Sequence, residues 1–347
     1  MHSILKCGLV ALSVCSAGVA LAQEPPKPKA IIVNTSGGEN APMLRKAYFN
    51  DFEAETGIKV IDTSPADFGR LQAMVKSGNV EWDITEIEAE DAGRAVELGL
   101  LEPIDEKIVD RSSFNEATKN PYHYPPSIYS TVIGYSTEAF PKGGPKNWAD
   151  FWDVKKFPGP RAMSANPLDN LEAALLADGV EPAKLYPLDV DRAFKKMDEI
   201  YPHVAVWWTS GAQQAQSLID GEAVMTTAWN GRLYAAIRKG APIAMEYGGG
   251  ILKVGSYGIP KGAKNPYWSQ RLLAVMTRPQ NEAKYSEVFG YSGPNPAHID
   301  YVSPEIKPLL PLAPANAAKQ VWMDQKWWVD NGQAVTDRWT KWMLSKG

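Results

Sequence analysis

The stretch VAVWWTSGAQQAQSLIDGEAVMTTAWNGRLYAAIRKG, Val204 to Gly240, contains the alternation of elements that decides the fold. It predicts a short apolar strand that ends at Trp208, a helix that begins after Ser210, and a second strand, AVMTTAW, that ends at Trp229. A further helix follows and stops at Gly240, where glycine suits the left-handed residue that closes many helices. Strand, helix and strand of these lengths predict a βαβ unit with parallel strands.

The aromatic ends of these two strands are the first candidate for a binding site. Parallel strands bring their carboxyl ends to one edge of a sheet, and open α/β sheets bind ligands at that edge. We therefore expect Trp208 and Trp229 to lie side by side near a ligand. Packing in the core is the alternative for each ring, since large aromatic side chains are mostly buried.

Length and charge limit the remaining possibilities. A chain of 347 residues exceeds one average core, so two domains are expected. The formal net charge of −4 gives no reason to propose a nucleic acid as partner. Beyond the N-terminal segment, no apolar run approaches the ~20 residues that span a bilayer.

The N-terminus has the pattern of a secretory signal peptide over residues 1–22. Lys6 precedes the apolar run GLVALSVCSAGVALA, and Ala20-Leu21-Ala22 forms a small-x-small cleavage site. We expect a periplasmic protein with a disordered leader at residues 23–29. Both cysteines lie inside the signal, so the mature chain would have neither disulfides nor thiolate nucleophiles. Lipid attachment at Cys15 is the alternative, although the preceding Val14 is bulky for it.

The order of predicted elements indicates two lobes joined by a two-strand hinge, an arrangement that allows lobes to close around a solute. A strand at 30–33 leads into a polar loop that contains Ser36, and the chain passes to a second lobe after Tyr129. The expected bounds are 30–132 with 255–300 for the first lobe. The second lobe is expected at 133–254 with 301–347, including Trp-rich C-terminal helices that pack on the lobes.

Acidic residues follow the third predicted strand, WDITEI. Glu86 and Glu88 there invite an acid/base interpretation, because paired carboxylates hydrolyse glycosides. Solvation at a helix N-terminus is the alternative, since the helix dipole favours carboxylates at that end. A third possibility is that Glu86 or Glu88 contacts a ligand.

Six segments between Phe52 and Asn265 occur in an order that resembles one protein family. They read FEAETGIKVI, WDITEIEAEDAGRAVELGLLEPID, VIGYSTEAF, NWADFWD, DGEAVMTTAWNG and SYGIPKGAKN. The chain resembles the periplasmic solute-binding proteins of ABC transporters, specifically the spermidine/putrescine-binding type. The resemblance implies an α/β fold of the type II binding-protein class, each lobe a mixed sheet flanked by helices, and a membrane permease as partner.

Members of that family enclose a polyamine with aromatic rings and neutralise its amines with carboxylates, which suits the chemistry of ammonium groups. The resemblance places Trp229, with the adjoining Asn230, at a cleft aromatic position. It places Asp169 at the second carboxylate of an Asp-x-x-Glu pair. Ser36, Tyr129 and Trp208 complete the expected binding residues of the cleft.

Departures from the family pattern point away from a plain polyamine. The family's Trp-x-Asp-Ser reads Lys253-Val254-Gly255-Ser256 here, and its Pro-Ser-x-Tyr reads Glu86-Ile87-Glu88-Ala89. A lysine at the first of these stretches would repel a polyamine. A zwitterion would instead place a carboxylate on Lys253 and Arg232 and an amine among Asp169, Glu88 and Trp229. If Lys253 points outward from the hinge, a polyamine stays possible.

Two classes of function therefore remain. The first is a monomeric transport receptor that needs no cofactor or metal and captures a small amine-containing solute. The second is an exported hydrolase that uses Glu86, Glu88 or Asp169, which the lack of a Ser/His/Asp signature disfavours. Ferric-ion binding is disfavoured because no paired tyrosine motif accompanies a histidine.

Overall fold

The computed structural model describes residues 24–37 and 40–346, so the expected signal peptide lies outside the described residues. The strands are β1 (Ala30–Asn34), β2 (Lys59–Thr63), β3 (Ile84–Ile87), β4 (His123–Tyr124), β5 (Ile128–Ser136), β6 (Arg161–Ser164), β7 (Val204–Trp208), β8 (Met225–Trp229), β9 (Ile243–Val254), β10 (Ser256–Gly258) and β11 (Val321–Trp322). The helices are α1 (Asn40–Leu44), α2 (Asn50–Thr56), α3 (Phe68–Ser77), α4 (Ala89–Glu97), α5 (Trp148–Trp152), α6 (Asn170–Ala177), α7 (Val190–Ile200), α8 (Gly211–Ile219), α9 (Asn230–Arg238), α10 (Pro266–Met276), α11 (Pro279–Phe289), α12 (Pro314–Ala317) and α13 (Gln325–Lys346). A π-helical turn, Arg45–Phe49, joins α1 to α2.

The strands form two mixed sheets. The first has the order β2-β1-β3-β10-β4, with β1, β2 and β3 parallel and β10 antiparallel to its neighbours. The second has the order β11-β9-β5-β8-β6-β7. We call the first sheet with its helices lobe 1 and the second sheet with its helices lobe 2. Each sheet is packed into its own hydrophobic core, which confirms the predicted two-lobe α/β fold.

The deciding stretch folds as predicted. It forms β7, α8 and β8 in turn, and Ser210 and Gln213 make a reciprocal capping box at the start of α8. Strands β7 and β8 are parallel, but both pair with β6, which lies between them. The following helix, α9, ends just before Gly240, whose φ of 84° is the left-handed conformation expected of it.

Three segments of chain cross between the lobes side by side. Strand β5 pairs with β9 from its first residue, Ile128, which lies opposite Val254. The Gly255 N–H donates to the Ser127 carbonyl at 2.9 Å. Ser292 forms the third crossing, since it exchanges backbone hydrogen bonds of 2.8 and 2.9 Å with Ile128. The expected two-strand hinge is thus joined by a third segment.

The leader at 24–29 lies against lobe 1, in contrast to the disorder expected from its prolines. The Trp268 indole N–H donates to the Pro26 carbonyl at 3.1 Å, and Lys27 Nζ donates to the Thr56 carbonyl at 3.0 Å. The Pro26 carbonyl, which no helix or strand uses, is thereby bonded in a tertiary contact.

The C-terminal helix α13 touches both lobes. Trp328 and Trp339 are buried in the core of lobe 2, as the prediction of packed Trp-rich helices requires. On lobe 1, a Cβ built at Gly93 of α4 would lie 2.1 Å from Val329 Cγ2, so only glycine permits this approach of α4 to α13. Within the part of the chain that the structure describes, no helix is both long and apolar enough to cross a membrane.

Candidate functional site

A cavity of about 590 Å³ opens between the lobes. Its volume falls in the range of ordinary small-molecule sites. Lobe 1 supplies residues from β3, from β10 and from α11, while lobe 2 supplies residues from β5, α8, β8 and α9. The lining consists of Ser36, Gly37, Met43, Glu86, Ile87, Glu88, Ala89, Pro126, Ser127, Tyr129, Ala212, Trp229, Gly231, Arg232, Ala235, Gly255, Ser256, Tyr257, Tyr285, Val288, Phe289 and Tyr291.

Aromatic rings form a continuous wall across this cavity. In lobe 2, the Tyr129 and Trp229 rings meet edge to face with centroids 6.3 Å apart. The Tyr291 ring lies 5.5 Å from Tyr129 and stacks at 6.2 Å on Phe289. Phe289 in turn lies 4.3 Å from Tyr285. Such a wall can cover the alkyl part of a solute and attract a cation to its ring faces.

Tyr291 is seated on α9 by the lack of a side chain at Gly231. A Cβ at Gly231 would lie 2.4 Å from Tyr291 Cε1, so any larger residue would push the ring away from the helix. Burial raises the pKa of Tyr291 to about 12, and the Arg232 guanidinium opposes that rise. Tyr291 therefore stays a neutral phenol at the centre of the aromatic wall.

Three charged side chains line the cavity: Glu86 and Glu88 from lobe 1, and Arg232 from α9. Arg232 makes no ion pair within 4.0 Å among the described residues, and its side chain is exposed to the cavity. It passes closely over the start of α8, because a Cβ at Gly211 would lie 2.7 Å from Arg232 Nε. The guanidinium can thus offer its donors to an anionic group of a solute.

Glu86 is held in place by the loop after β1. The Ser36 N–H donates to Glu86 Oε2 at 2.6 Å. Burial raises the pKa of Glu86 above its ordinary 4.5, while the bonds from Ser36 and the charge of Arg232 act in the opposite direction. The cavity therefore contains a cation and two carboxyl groups around one set of rings.

Five of the nine residues predicted from the sequence line this cavity: Ser36, Glu86, Glu88, Tyr129 and Trp229. The other four, Asp169, Trp208, Asn230 and Lys253, are buried behind its surface.

Trp208 and Asn230 support the cavity wall from behind. The Trp208 indole donates to the Thr227 carbonyl at 3.0 Å, and its ring packs edge to face on Trp229 with centroids 6.1 Å apart. The Asn230 amide accepts from the Ser130 N–H at 3.0 Å and donates to the Gly290 carbonyl at 2.7 Å. Trp208 and Trp229 thus lie side by side as expected, and the side chains of Trp208 and Asn230 are both buried.

Lys253 and Asp169 contact each other instead of the cavity. The Lys253 ammonium pairs with the Asp169 carboxylate, and the two side chains are 2% and 6% exposed. Lys253 therefore neither points outward from the hinge nor presents its charge to a solute. The expectation that these two residues grip opposite ends of a ligand stays a prediction, and in the structure their charges pair with each other.

Sequence reasoning missed the contribution of α11. Tyr285 and Phe289 lie four residues apart and so on one face of that helix, which turns toward the cleft. Their spacing was a signal, but the same spacing is typical of a helix packed on a core. Only the packing of α11 in lobe 1 shows that Tyr285 and Phe289 face the cavity.

The residues that the structure describes contain no group of three or more His, Cys, Asp or Glu side chains that could hold a metal ion. The hydrolase hypothesis also gains no support. Asp169, one of its three candidate catalysts, is engaged by Lys253 behind the cavity.

Comparison with known proteins agrees with the architecture and the resemblance noted in the sequence. Residues 47–311 match the family described as bacterial extracellular solute-binding protein. The gamma-aminobutyric acid-binding protein of Pseudomonas aeruginosa is 31% identical over 98% of this chain and 97% of its own. The spermidine/putrescine-binding periplasmic protein of Escherichia coli is 26% identical over 74% of this chain and 76% of its own.

A solved structure gives the same result for the fold. An ABC transporter substrate-binding protein from Bradyrhizobium japonicum is 41% identical, with a TM-score of 0.86. The match covers 91% of this chain and 100% of that one.

Proposed function

This chain belongs to the bacterial extracellular solute-binding protein family, and on that premise we propose that its cleft captures a small zwitterion with one ammonium and one carboxylate group. Arg232 binds the carboxylate, Glu86 and Glu88 bind the ammonium, and the rings of Tyr129 and Trp229 cover the chain between them. Ser36 positions Glu86. The solute is taken up in the periplasm, released unchanged, and delivered by the monomeric protein to an ABC permease.

The single observation that supports this ligand class is the set of charges on the cavity. A diamine would meet Glu86 and Glu88 but would leave its second ammonium near Arg232, and like charges at close range in a closed site are costly. A zwitterion satisfies both signs with charge-assisted hydrogen bonds. The relative from Pseudomonas aeruginosa is named for gamma-aminobutyric acid, a molecule of this class, which makes it the first compound to test.

Calorimetric titration of the mature protein with four probes tests the proposal. Gamma-aminobutyrate carries both charges, n-butylamine and butyrate carry one each, and putrescine carries two ammonium groups. We expect gamma-aminobutyrate to bind at least about tenfold more tightly than the other three. Tighter binding of putrescine would overturn the proposal in favour of a polyamine. Tryptophan fluorescence gives an independent readout, because Trp229 lines the cavity.

A second measurement tests the lack of chemistry. Nuclear magnetic resonance of the probe after prolonged incubation with the protein should show the unaltered compound. Any conversion that Glu88→Gln abolishes would instead support a hydrolase.

A further inference from the structure

A lysine ammonium lies buried against two rings that line the cavity, those of Tyr129 and Trp229. Lys253 Nζ lies 5.1 Å from the centroid of the Tyr129 ring and 5.9 Å from that of the Trp229 ring. The same Nζ contacts the Asp169 carboxylate and donates to Thr131 Oγ1 at 2.9 Å. One ammonium is thus surrounded by a carboxylate, a hydroxyl and two aromatic rings.

These surrounding groups are the ones that would recognise an ammonium ligand. Ring faces attract cations, and a carboxylate supplies the strongest hydrogen bonds that an ammonium makes. Asp169 takes part from a backbone conformation with φ of 68°, which is sparsely populated for residues other than glycine. Such a conformation persists only where the surroundings hold it, and it is common at binding sites.

Stability alone does not account for the pair. Burying two charges costs more free energy than burying apolar side chains of the same size, so a buried ion pair is weak grounds for stability. Asp169 also places its carboxylate near a second buried acid, Glu172, and each carboxylate has one oxygen without a hydrogen-bond partner among the described residues. An apolar pair at 169 and 253 would avoid this crowding of acids.

We propose that Lys253 determines specificity: its side chain fills an ammonium subsite beside the cleft and so denies that subsite to the second amine of a diamine. The subsite adjoins the cavity, because its two rings, Tyr129 and Trp229, also line the cavity, as does Gly255, two residues beyond Lys253. The inference rests on the proposed function in one respect, that the cleft takes an amine-bearing solute.

Removal of the lysine side chain tests the subsite without reference to the cleft ligand. Lys253→Ala deletes three carbons and the amine, which are the heavy atoms of n-propylamine. Added n-propylammonium chloride should therefore refill the space and raise the melting temperature of Lys253→Ala by about 2 °C or more over equal sodium chloride. The wild type should not respond, because its subsite is filled by the lysine side chain. The double variant Asp169→Asn/Lys253→Ala should not respond either, because its subsite lacks the carboxylate.

Equal melting temperatures of Lys253→Ala in the two salts would overturn the subsite. If Lys253→Ala does not fold alone, refolding with and without n-propylammonium is the same test. Recovery only with the amine supports the subsite, and failure in both solutions overturns it.

Specificity is measured separately with putrescine. Lys253→Ala should bind putrescine about tenfold or more tightly than the wild type does, and the gain should be lost in Asp169→Asn/Lys253→Ala. If n-propylammonium stabilises Lys253→Ala but the affinity for putrescine does not rise, the role in specificity is overturned and Lys253 has only a structural role. Failure of the proposed function is distinguishable, because it shows in gamma-aminobutyrate titrations of the wild type alone.

Discussion

Replacement of Arg232 by glutamine should remove most of the preference for a carboxylate. Arg232 is the cation among the lining residues, and it has no ion-pair partner within 4.0 Å in the described part of the chain. Its contact with a ligand carboxylate is therefore made without breaking an ion pair within the described residues. A hydrogen bond to a charged group contributes about 1.5–3 kcal/mol, so gamma-aminobutyrate should bind Arg232→Gln roughly 10- to 150-fold more weakly.

A cycle of four titrations isolates this contact from other effects of the substitution. Wild type and Arg232→Gln are each titrated calorimetrically with gamma-aminobutyrate and with n-butylamine, which lacks the carboxylate. The loss of affinity should be large for gamma-aminobutyrate. For n-butylamine the affinity should be unchanged or higher, because the variant no longer carries a cation that repels the amine.

Arg238→Gln is the matched control. Arg238 lies on the same helix, α9, but outside the cavity, where its guanidinium lies 5.8 Å from the Tyr234 ring. Its replacement should leave both affinities within about twofold of the wild type, as expected for a surface change remote from the site. Equal losses for both ligands in Arg232→Gln, or equal losses in the two variants, would refute the assignment of the carboxylate to Arg232.

Three further predictions concern pH and packing. Burial raises the pKa of Glu86, so on acidification the affinity for gamma-aminobutyrate should begin to fall at a pH above the ordinary pKa of a glutamate. Calorimetry should show that Glu86→Gln binds gamma-aminobutyrate about tenfold more weakly at pH 7 and lacks this pH dependence. Burial raises the pKa of Glu172 from 4.5 to about 7, so the folded state holds a proton that the unfolded state releases, and stability should fall by about 3 kcal/mol as pH rises across that window. Urea unfolding at pH 5 and pH 8 captures most of this change, about 2–3 kcal/mol, and Glu172→Gln should abolish it. Gly93→Ala should destabilise the protein by about 1–3 kcal/mol through the clash with Val329, and Gly93→Ala/Val329→Ala should regain most of it; an equally unstable double variant would contradict the clash.

Local patterns in the sequence were sufficient to predict β7, α8 and β8, because strand periodicity, a helix cap and a left-handed glycine each depend on a few neighbouring residues. Trp229 was placed at the cleft for the same reason, since it ends a parallel strand. These predictions needed no knowledge of distant contacts.

The contacts that the sequence did not reveal depend on partners far along the chain. Lys253 pairs with Asp169 across 84 residues, and no local pattern shows that one charge will neutralise the other. The leader likewise binds Trp268, which is 242 residues from Pro26. Tyr291 enters the cavity only because Gly231 leaves room for its ring.

The third crossing at Ser292 changes how the halves of the molecule can move. Two neighbouring strands alone can twist about their common axis. The third segment is hydrogen-bonded to Ile128 through both backbone groups of Ser292 and so widens and stiffens the connection. Three segments bonded side by side bend perpendicular to their common plane more readily than they twist about their long axis. We therefore expect the two lobes to open and close by bending about these three crossings. Labels placed on the outer edges of the two lobes should report a change in their separation with little relative rotation.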